Sequence, residues 1–497
     1  MPQGIAILCI ACIGLCVIGI IRSHKRRSLV HLLSYLYLAL TALVVAYLSL
    51  FFIFSGSLSL SSVLVPGPLS DLGITVLYVS ISWLLIGLLL TQIAAKRIGM
   101  HNIIEVIGFY LIAFIYLNIL RERTGYLDVH DYIKAAQNIL MGEPLHRRYI
   151  YPPFWAVCIT PFAPSGESVT RLILMAANYV SLLFFYILLH KALQKYGLLR
   201  NTAAVVVFVA LCVNVPILRN MMSVQVNIHV ANLVLLSLLY STRNQLLSAL
   251  ALSLAVHLKI SPIVFVLVFL LTRQWKWLAW FVLFTAAIAW GTAMVAGWHS
   301  YSESLMNIRA LYALQHVTIR EFSFDSLVRV ISRLLGGGDQ WAVPIIAGIK
   351  LMFLTLTLWM FATCVKRSVY HDGQLNEAII CNGFVVLSLL QLILAPFILE
   401  YHPVFIIFAY VVVFTRLSGW TELALWLIGY YVLYLLPVFD FFPISFVRLW
   451  GIVLCYVIIW MHTRRDSNTV GWFLQGGICA LGSARVAGKN PDSEIQG

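Results

Sequence analysis

The chain has 497 residues, of which 61% are hydrophobic and only 10% are charged, and its mean hydropathy is +0.93. Because an ordinary soluble domain carries about 25% charged residues, this composition excludes a water-soluble globular protein and indicates an integral membrane protein. The net charge of +14 is expected from lysines and arginines that flank membrane spans, so no nucleic-acid partner is predicted.

Apolar segments long enough to cross a bilayer recur along the chain and predict about thirteen transmembrane helices. Helices satisfy their own backbone hydrogen bonds in lipid, so the predicted fold class is an all-α, polytopic membrane protein. The predicted spans are 4–21, 29–54, 72–93, 103–120, 169–190, 203–217, 227–241, 277–297, 344–365, 378–395, 403–415, 419–437 and 445–461.

Basic residues lie mostly on one side of these spans. Placing RSHKRR (22–27) in the cytoplasm puts on the same side the basic turns at 96–97, 190–202, 273–276, 366–367 and 464–465. Short connections on the other side, at 55–71, 397–403 and 438–444, contain no Lys or Arg. The positive-inside rule therefore predicts a multi-pass cell-membrane protein with its N-terminus outside and its C-terminus in the cytoplasm.

Three regions are predicted along the chain. Residues 1–100 hold three additional N-terminal spans, 101–465 form the main transmembrane domain, and 466–497 are expected to be a disordered cytoplasmic tail. The first segment has no basic residue before it, so we expect a span that enters from outside and not a cleaved signal peptide. No cluster of His, Asp or Glu has metal-ligand spacing, and neither a metal nor a cofactor is predicted.

The outer connection YLDVHDYIKAAQNILMGEPLHRRYIYPP (126–153) concentrates charge between two apolar segments. Its apolar residues recur at helical spacing and predict a short amphipathic helix on the membrane surface. Asp128 is either the N-cap of this helix or a catalytic carboxylate, and Asp131 lies where a capping-box partner would. Arg147 and Arg148 are expected to contact lipid phosphates or the phosphate of a substrate.

Two apolar stretches do not read as simple spans. YPPFWAVCITPFAPSGES (151–168) is bounded by prolines and too short to cross, so a re-entrant segment is expected. The stretch 246–276 has His257, Lys259 and Pro262 in its middle and predicts a helical hairpin with its tip in a protected cavity. Lys259 either serves a functional site or extends its amine to the membrane interface.

Several short motifs occur in a shared order. An outer-loop Asp128 and the short MGEP (141–144) and YPP (151–153) motifs are followed by an apolar run that ends at Pro161. Further along the chain come SVQVN (223–227), AVHLKISP (255–262), FSFDSL (322–327) and APFILEYHP (395–403). This order resembles glycosyltransferase family 87 across about 103–415 of the chain. The resemblance implies a bundle like the GT-C fold and a catalytic domain at 101–465.

The resemblance also implies roles for individual residues. Asp128 matches the family's outer-loop base, and Lys259 and His402 match positions that bind the donor phosphate, as Arg147 and Arg148 could from charge alone. His402 could instead be an interface histidine, and Gln225 and Asn227 either bind sugar hydroxyls or bond between helices. The further candidates for sugar or acceptor binding are Asp131, Tyr151 and His257.

The implied function is an inverting hexosyltransferase with a site on the extracytoplasmic face. It would transfer mannose from a polyprenyl-phosphate-sugar donor to a lipid-linked or glycan acceptor, among membrane lipids. A phosphate leaving group needs positive charge and the acceptor hydroxyl needs a base, which one carboxylate and a few cations supply. A lipid or polysaccharide transporter or flippase is the alternative, although no internal repeat is evident. A non-catalytic membrane scaffold is a third possibility.

Overall fold

A computed structural model describes residues 127–195, 198, 200–212, 214–314, 322–337, 339–368, 375–414, 420–435 and 446–465. The predicted spans at 4–21, 29–54, 72–93 and 103–120 lie outside these described residues, as do the N-terminal region 1–100 and the tail 466–497.

The described residues are helical and form no strand, as predicted for an all-α protein. The helices are α1 (Leu127–Met141), α2 (Pro153–Ile159), α3 (Glu167–Lys195), α4 (Arg200–Cys212), α5 (Val215–Met222), α6 (Asn227–Tyr240), α7 (Gln245–Leu258), α8 (Val266–Leu271), α9 (Trp275–Ala296), α10 (His299–Leu314), α11 (Phe324–Leu334), α12 (Asp339–Ser368), α13 (Leu375–Leu394), α14 (Ile407–Phe414), α15 (Trp420–Tyr430) and α16 (Val447–Arg465). Short 3₁₀ segments occur at Ala163–Ser165, Ser261–Phe265 and His402–Ile406, and a π-helical turn at Tyr431–Leu435.

Within the described ranges, three helices are long and apolar enough to cross a membrane: Glu167–Lys195, Trp275–Ala296 and Gln340–Thr363. Each overlaps a predicted span. Large apolar side chains remain exposed on all three helices, such as Leu172 at 66%, Trp290 at 61% and Met352 at 55%. Apolar surface of this extent belongs in lipid, which supports a membrane protein.

The chain divides into two units. One consists of Met1–Thr124, Phe208–Val215 and Tyr434–Ser445, most of which lies outside the described residues. The other comprises Gly125–Val207, Pro216–Leu433 and Phe446–Gly497. Within this second unit, α6 packs against α3 and α7, and α7 packs against α9.

Helix α1 confirms the predicted helix, but its apolar face contacts protein and not lipid. Val129, Tyr132, Ile133 and Ala136 are all buried, and the helix packs against α2 and α3. Exposed apolar side chains are confined to the C-terminal end of the helix, at Leu140 and Met141. The prediction of a helix that lies with this face on the membrane surface is therefore wrong, because hydrophobic spacing identifies an apolar face but not what covers it.

The predicted hairpin region 246–276 breaks where its polar residues occur. Helix α7 ends at Leu258, and Lys259 follows in an extended conformation with φ −155° and ψ 129°. Pro262 then lies in the first turn of the 3₁₀ segment Ser261–Phe265. Proline is tolerated there because backbone N–H groups of a first turn have no partner within the helix. The break turns the Lys259 side chain away from the axis of α7 and toward α6.

The connection after α1 is held in place by α10. The Glu303 carboxylate accepts from the backbone N–H of Leu145 at 2.8 Å, and the Ser304 hydroxyl donates to the Tyr151 carbonyl at 2.8 Å. The Asn307 amide donates to the carbonyls of His146 and Tyr149 at 3.0 and 3.1 Å. The connection after α1 and helix α10 therefore form one structure.

Candidate active site

A carboxylate and an amide from distant parts of the chain meet at the start of α1. The Asp128 carboxylate accepts a hydrogen bond from Gln225 Nε2. Gln225 Oε1 in turn accepts from the hydroxyls of Tyr132 and Tyr151, each at 3.0 Å. The structure thus brings together Asp128, Gln225 and Tyr151, which were predicted separately.

A tight turn between α5 and α6 positions Gln225. Val224 has φ 49°, in the left-handed region that a β-branched residue rarely adopts, and the backbone N–H of Gln225 donates to the Asn220 carbonyl at 2.8 Å. Such a conformation costs about 1–3 kcal/mol and persists only where the surrounding structure holds it. The turn held in this conformation directs Gln225 toward α1 and leaves Asn227 in the first turn of α6.

The ammonium of Lys259 reaches the same turn from the end of α7. Lys259 Nζ donates to Asn227 Oδ1 at 2.9 Å, and the Asn227 amide donates to Asn220 Oδ1 at 2.9 Å. The ammonium also lies over two aromatic rings, 5.9 Å from the Tyr151 centroid and 5.1 Å from that of Phe405. Both rings attract a cation through their negative faces. Lys259 is therefore held within the protein at the site, instead of extending to the membrane interface.

The surroundings of Asp128 shift the pKa of its carboxyl group. Burial raises the pKa of this carboxyl to about 6, and the negative charge of Asp131 raises it as well. The hydrogen bond from Gln225 and the positive charge of Lys259 act in the opposite direction. A carboxylate whose pKa lies near neutrality is suited to general base catalysis, because it both ionises at physiological pH and holds a proton well.

Asp131 contacts a different partner. Its Oδ1 lies 3.1 Å from His146 Nε2, in the connection after α1. This contact ties the connection to the second turn of α1, whereas the predicted capping role would direct the carboxylate at the helix start. Asp131 thus supports the loop that carries Tyr151.

His402 lies beside this group of residues. It is buried at the start of the 3₁₀ segment His402–Ile406. Its Nδ1 accepts a hydrogen bond from the backbone N–H of Leu399 at 2.8 Å. A neutral imidazole with an accepting Nδ1 carries its proton on Nε2, which is then a hydrogen-bond donor. Its ring centroid is 6.4 Å from that of Phe405, the ring that Lys259 overlies.

The segment before His402 is anchored to α5. The Asn220 amide donates to the Tyr401 carbonyl at 2.7 Å, and Arg219 forms an ion pair with Glu400 at 2.9 Å. Asn220 therefore links three parts of the site: the turn before α6, Asn227 and the segment that carries His402.

Other predicted residues lie apart from this network. His257 Nε2 makes a 3.0 Å contact with the Thr285 carbonyl of α9, which joins two helices. Arg147 and Arg148 are exposed in the connection between α1 and α2. Among the described residues, no group of three or more His, Cys, Asp or Glu side chains is placed to hold a metal ion.

The comparison with protein families matches residues 149–388, just under half of the chain, to glycosyltransferase family 87. This match supports glycosyltransferase family 87. The resemblance inferred from the sequence motifs is confirmed. Comparisons with curated proteins and with solved structures found no match. A match to family 87 indicates a glycosyltransferase, which acts on a sugar donor and an acceptor.

The matched region of family 87 covers part of the site. Tyr151, Gln225, Asn227 and Lys259 lie inside 149–388, whereas Asp128 and His402 lie outside it. The tertiary structure nevertheless brings Asp128 into direct contact with Gln225 of the matched region.

Sequence reasoning missed three residues of this site. Tyr132 is one of the residues whose helical spacing predicts the apolar face of α1, yet its hydroxyl contacts Gln225. Asn220 and Phe405 carry no such signal in the sequence, because a lone amide or a phenylalanine in an apolar segment is ordinary. A polar tip on a buried tyrosine, which needs a hydrogen-bond partner, was the signal that could have identified Tyr132.

Proposed function

We propose that this protein is an inverting glycosyltransferase that moves a hexose from a polyprenyl-phosphate-sugar donor to a lipid or glycan acceptor. The observation that carries the proposal is the continuous set of contacts from a carboxylate to an ammonium. Asp128 is bonded to Gln225, Gln225 to Tyr151, and the Tyr151 ring lies under Lys259. Base and cation therefore lie at the two ends of one set of contacts and come from different elements.

These two groups match the two needs of the reaction. Asp128 accepts the proton of the acceptor hydroxyl as its oxygen bonds to the anomeric carbon. The bond from that carbon to the donor phosphate breaks, and the electron pair leaves with the phosphate, whose negative charge Lys259 stabilises. Attack from the face opposite the leaving group inverts the anomeric centre. The Nε2–H of His402 is a further donor for phosphate.

The choice of donor, sugar and membrane face rests on other grounds. The motif resemblance implies a polyprenyl-phosphate donor and mannose. The basic turns predict that the connection carrying Asp128 lies outside the cytoplasm, where nucleotide sugars are scarce and lipid-linked sugars are the available donors. Asn227 is bonded to Lys259, so it orients the ammonium and is less available to sugar hydroxyls than the sequence implied.

The direct test of this function is a transfer assay with defined donors. Membranes containing the protein are incubated with radiolabelled polyprenyl-phosphate mannose or, separately, with a labelled nucleotide sugar. We expect label in a covalently glycosylated lipid or polysaccharide with the lipid-linked donor alone. Transfer directly from the nucleotide sugar would contradict the donor assignment, and movement of intact donor between leaflets without a glycosylated product would favour a flippase.

The assignment of the membrane face has its own test. A reporter fused after Arg27 or Arg367 should indicate the cytoplasm, and a reporter inserted near Gly337 should indicate the outside, because basic residues mark cytoplasmic connections. Reporter enzymes active on only one side of the membrane provide the measurement. The reverse pattern would place the Asp128 connection in the cytosol and would contradict the extracytoplasmic site.

A further inference from the structure

The Gln225 side chain is fully buried and satisfies three polar groups at once. Its Oε1 accepts from the hydroxyls of Tyr132 and Tyr151, and its Nε2 donates to Asp128. An ionised carboxylate can only accept hydrogen bonds, whereas a hydroxyl can donate one. The donor end of the amide must therefore face Asp128, and its acceptor end must face the two tyrosines.

This arrangement leaves little capacity for a ligand. A glutamine amide offers two hydrogens and two lone pairs. Both tyrosine hydroxyls donate to the oxygen and one hydrogen goes to Asp128, so one hydrogen remains. A sugar hydroxyl could displace these contacts only by leaving buried tyrosine hydroxyls without their acceptor, which is costly.

The backbone maintains the same arrangement. The strained Val224 immediately precedes Gln225, and the Gln225 N–H is bonded to the Asn220 carbonyl. Both ends of the side chain and the main chain are thus constrained.

We propose that Gln225 is a positioning residue, which holds the Asp128 carboxylate in the orientation that accepts the proton of the acceptor hydroxyl. Tyr132 and Tyr151 act through it by setting the orientation of its amide. The inference rests on the proposed function, because that function makes Asp128 the base. It differs from the roles implied by the sequence, which were sugar binding or a bond between helices.

A positioning role for Gln225 predicts a specific change in the pKa of Asp128. Asp128 faces the negative charge of Asp131 on its own helix, the positive charge of Lys259 and the hydroxyls of Tyr132 and Tyr151. The hydrogen bond from Gln225 lowers the pKa of Asp128. Removal of this bond should raise that pKa, whereas loss of an ordinary packing residue should not.

The test is Gln225→Leu, which keeps similar bulk and removes the amide. We expect the acidic limb of the pH–rate profile, measured with saturating donor, to move up by about 1 pH unit, as for loss of a hydrogen bond to a charged group. From a pKa of about 6, this shift alone lowers turnover at pH 7 about twofold, and poorer orientation of the carboxylate should bring the total loss to about tenfold or more. Above the shifted limb only the loss due to protonation should be recovered, whereas the loss due to poorer orientation should persist at every pH.

Two further variants separate this role from general destabilisation. Tyr132→Phe removes one of the two hydroxyls that orient the amide and should move the acidic limb in the same direction by less. Asn232→Leu is the matched control, because it removes another buried amide from the same region, one that bonds Ser181 of α3. This control can lower the melting temperature but should leave the acidic limb in place.

An unchanged acidic limb in both Gln225→Leu and Tyr132→Phe would overturn the proposal. A rise in the acceptor KM alone would also overturn it, because that change marks direct binding of the acceptor. If Gln225→Leu does not fold, Tyr132→Phe still decides the outcome.

If the wild-type protein transfers no sugar, the proposed function fails separately. The contact itself is then tested by melting temperatures of Gln225→Leu, Asp128→Asn and the double variant, which should be non-additive; additive changes would overturn it.

Discussion

Asp128→Asn is expected to lower the rate of sugar transfer by about 100-fold to 10,000-fold, the usual effect of losing a positioned general base. The asparagine side chain has the same shape and its Oδ1 can still accept the hydrogen bond from Gln225, but it cannot take a proton from the acceptor hydroxyl. The fold should therefore persist while catalysis is lost. Turnover is measured with saturating donor, so that binding and chemistry are separated, and the melting temperature is recorded for the same preparation.

Asp131→Asn is the matched control for this variant. It is the same substitution one turn further along α1, and its side chain contacts His146 instead of Gln225. Its expected loss of turnover is much smaller. If Asp128→Asn transfers sugar at nearly the wild-type rate, the carboxylate that acts as base lies elsewhere and Asp128 serves only the helix start.

The same assignment predicts the pH dependence of the wild-type protein. A base works when ionised, so activity should rise with pH and reach half its plateau near the Asp128 pKa of about 6. An ordinary aspartate would be ionised already above about pH 4. The residual activity of Asp128→Asn should lack this acidic limb, and a limb that persists in the variant would assign the titration to another group.

Lys259→Met is expected to weaken donor binding by about 1.5–3 kcal/mol, which corresponds to about 10-fold to 150-fold in the dissociation constant. Methionine keeps the apolar length of the side chain and its contacts with the rings of Tyr151 and Phe405, but it removes the charge that pairs with phosphate. Donor affinity is measured directly with a labelled lipid-linked sugar, and protein folding by its melting temperature.

Lys134→Met provides the control, because Lys134 is exposed on α1 and the substitution is chemically identical. Its donor affinity should remain that of the wild type. Equal affinities for the wild type and Lys259→Met would mean that Lys259 does not bind the donor phosphate and that its ammonium serves the fold alone.

Much of the architecture follows from local sequence. Long apolar segments predict helices wherever lipid removes water, because a helix is the local structure that satisfies its own backbone. The described helices α3, α9 and α12 lie where predicted, and the chain leaves the helical conformation between Lys259 and Pro262, where a proline and an intramembrane charge occur together. Asp128 and Lys259 were likewise recognisable as candidates, because charge is expensive in such surroundings.

The connections between these elements were decided by tertiary structure alone. Asp128 and Gln225 are 97 residues apart in the chain, and Asn227 and Lys259 are 32 apart. Periodicity identified the apolar face of α1 but could not say that protein covers it, and an isolated Gln in an apolar segment gave no sign of its partners. Hydrogen bonds act over about 3 Å, so which polar groups meet depends on how the helices pack, and that packing is a property of the whole chain and not of any local segment.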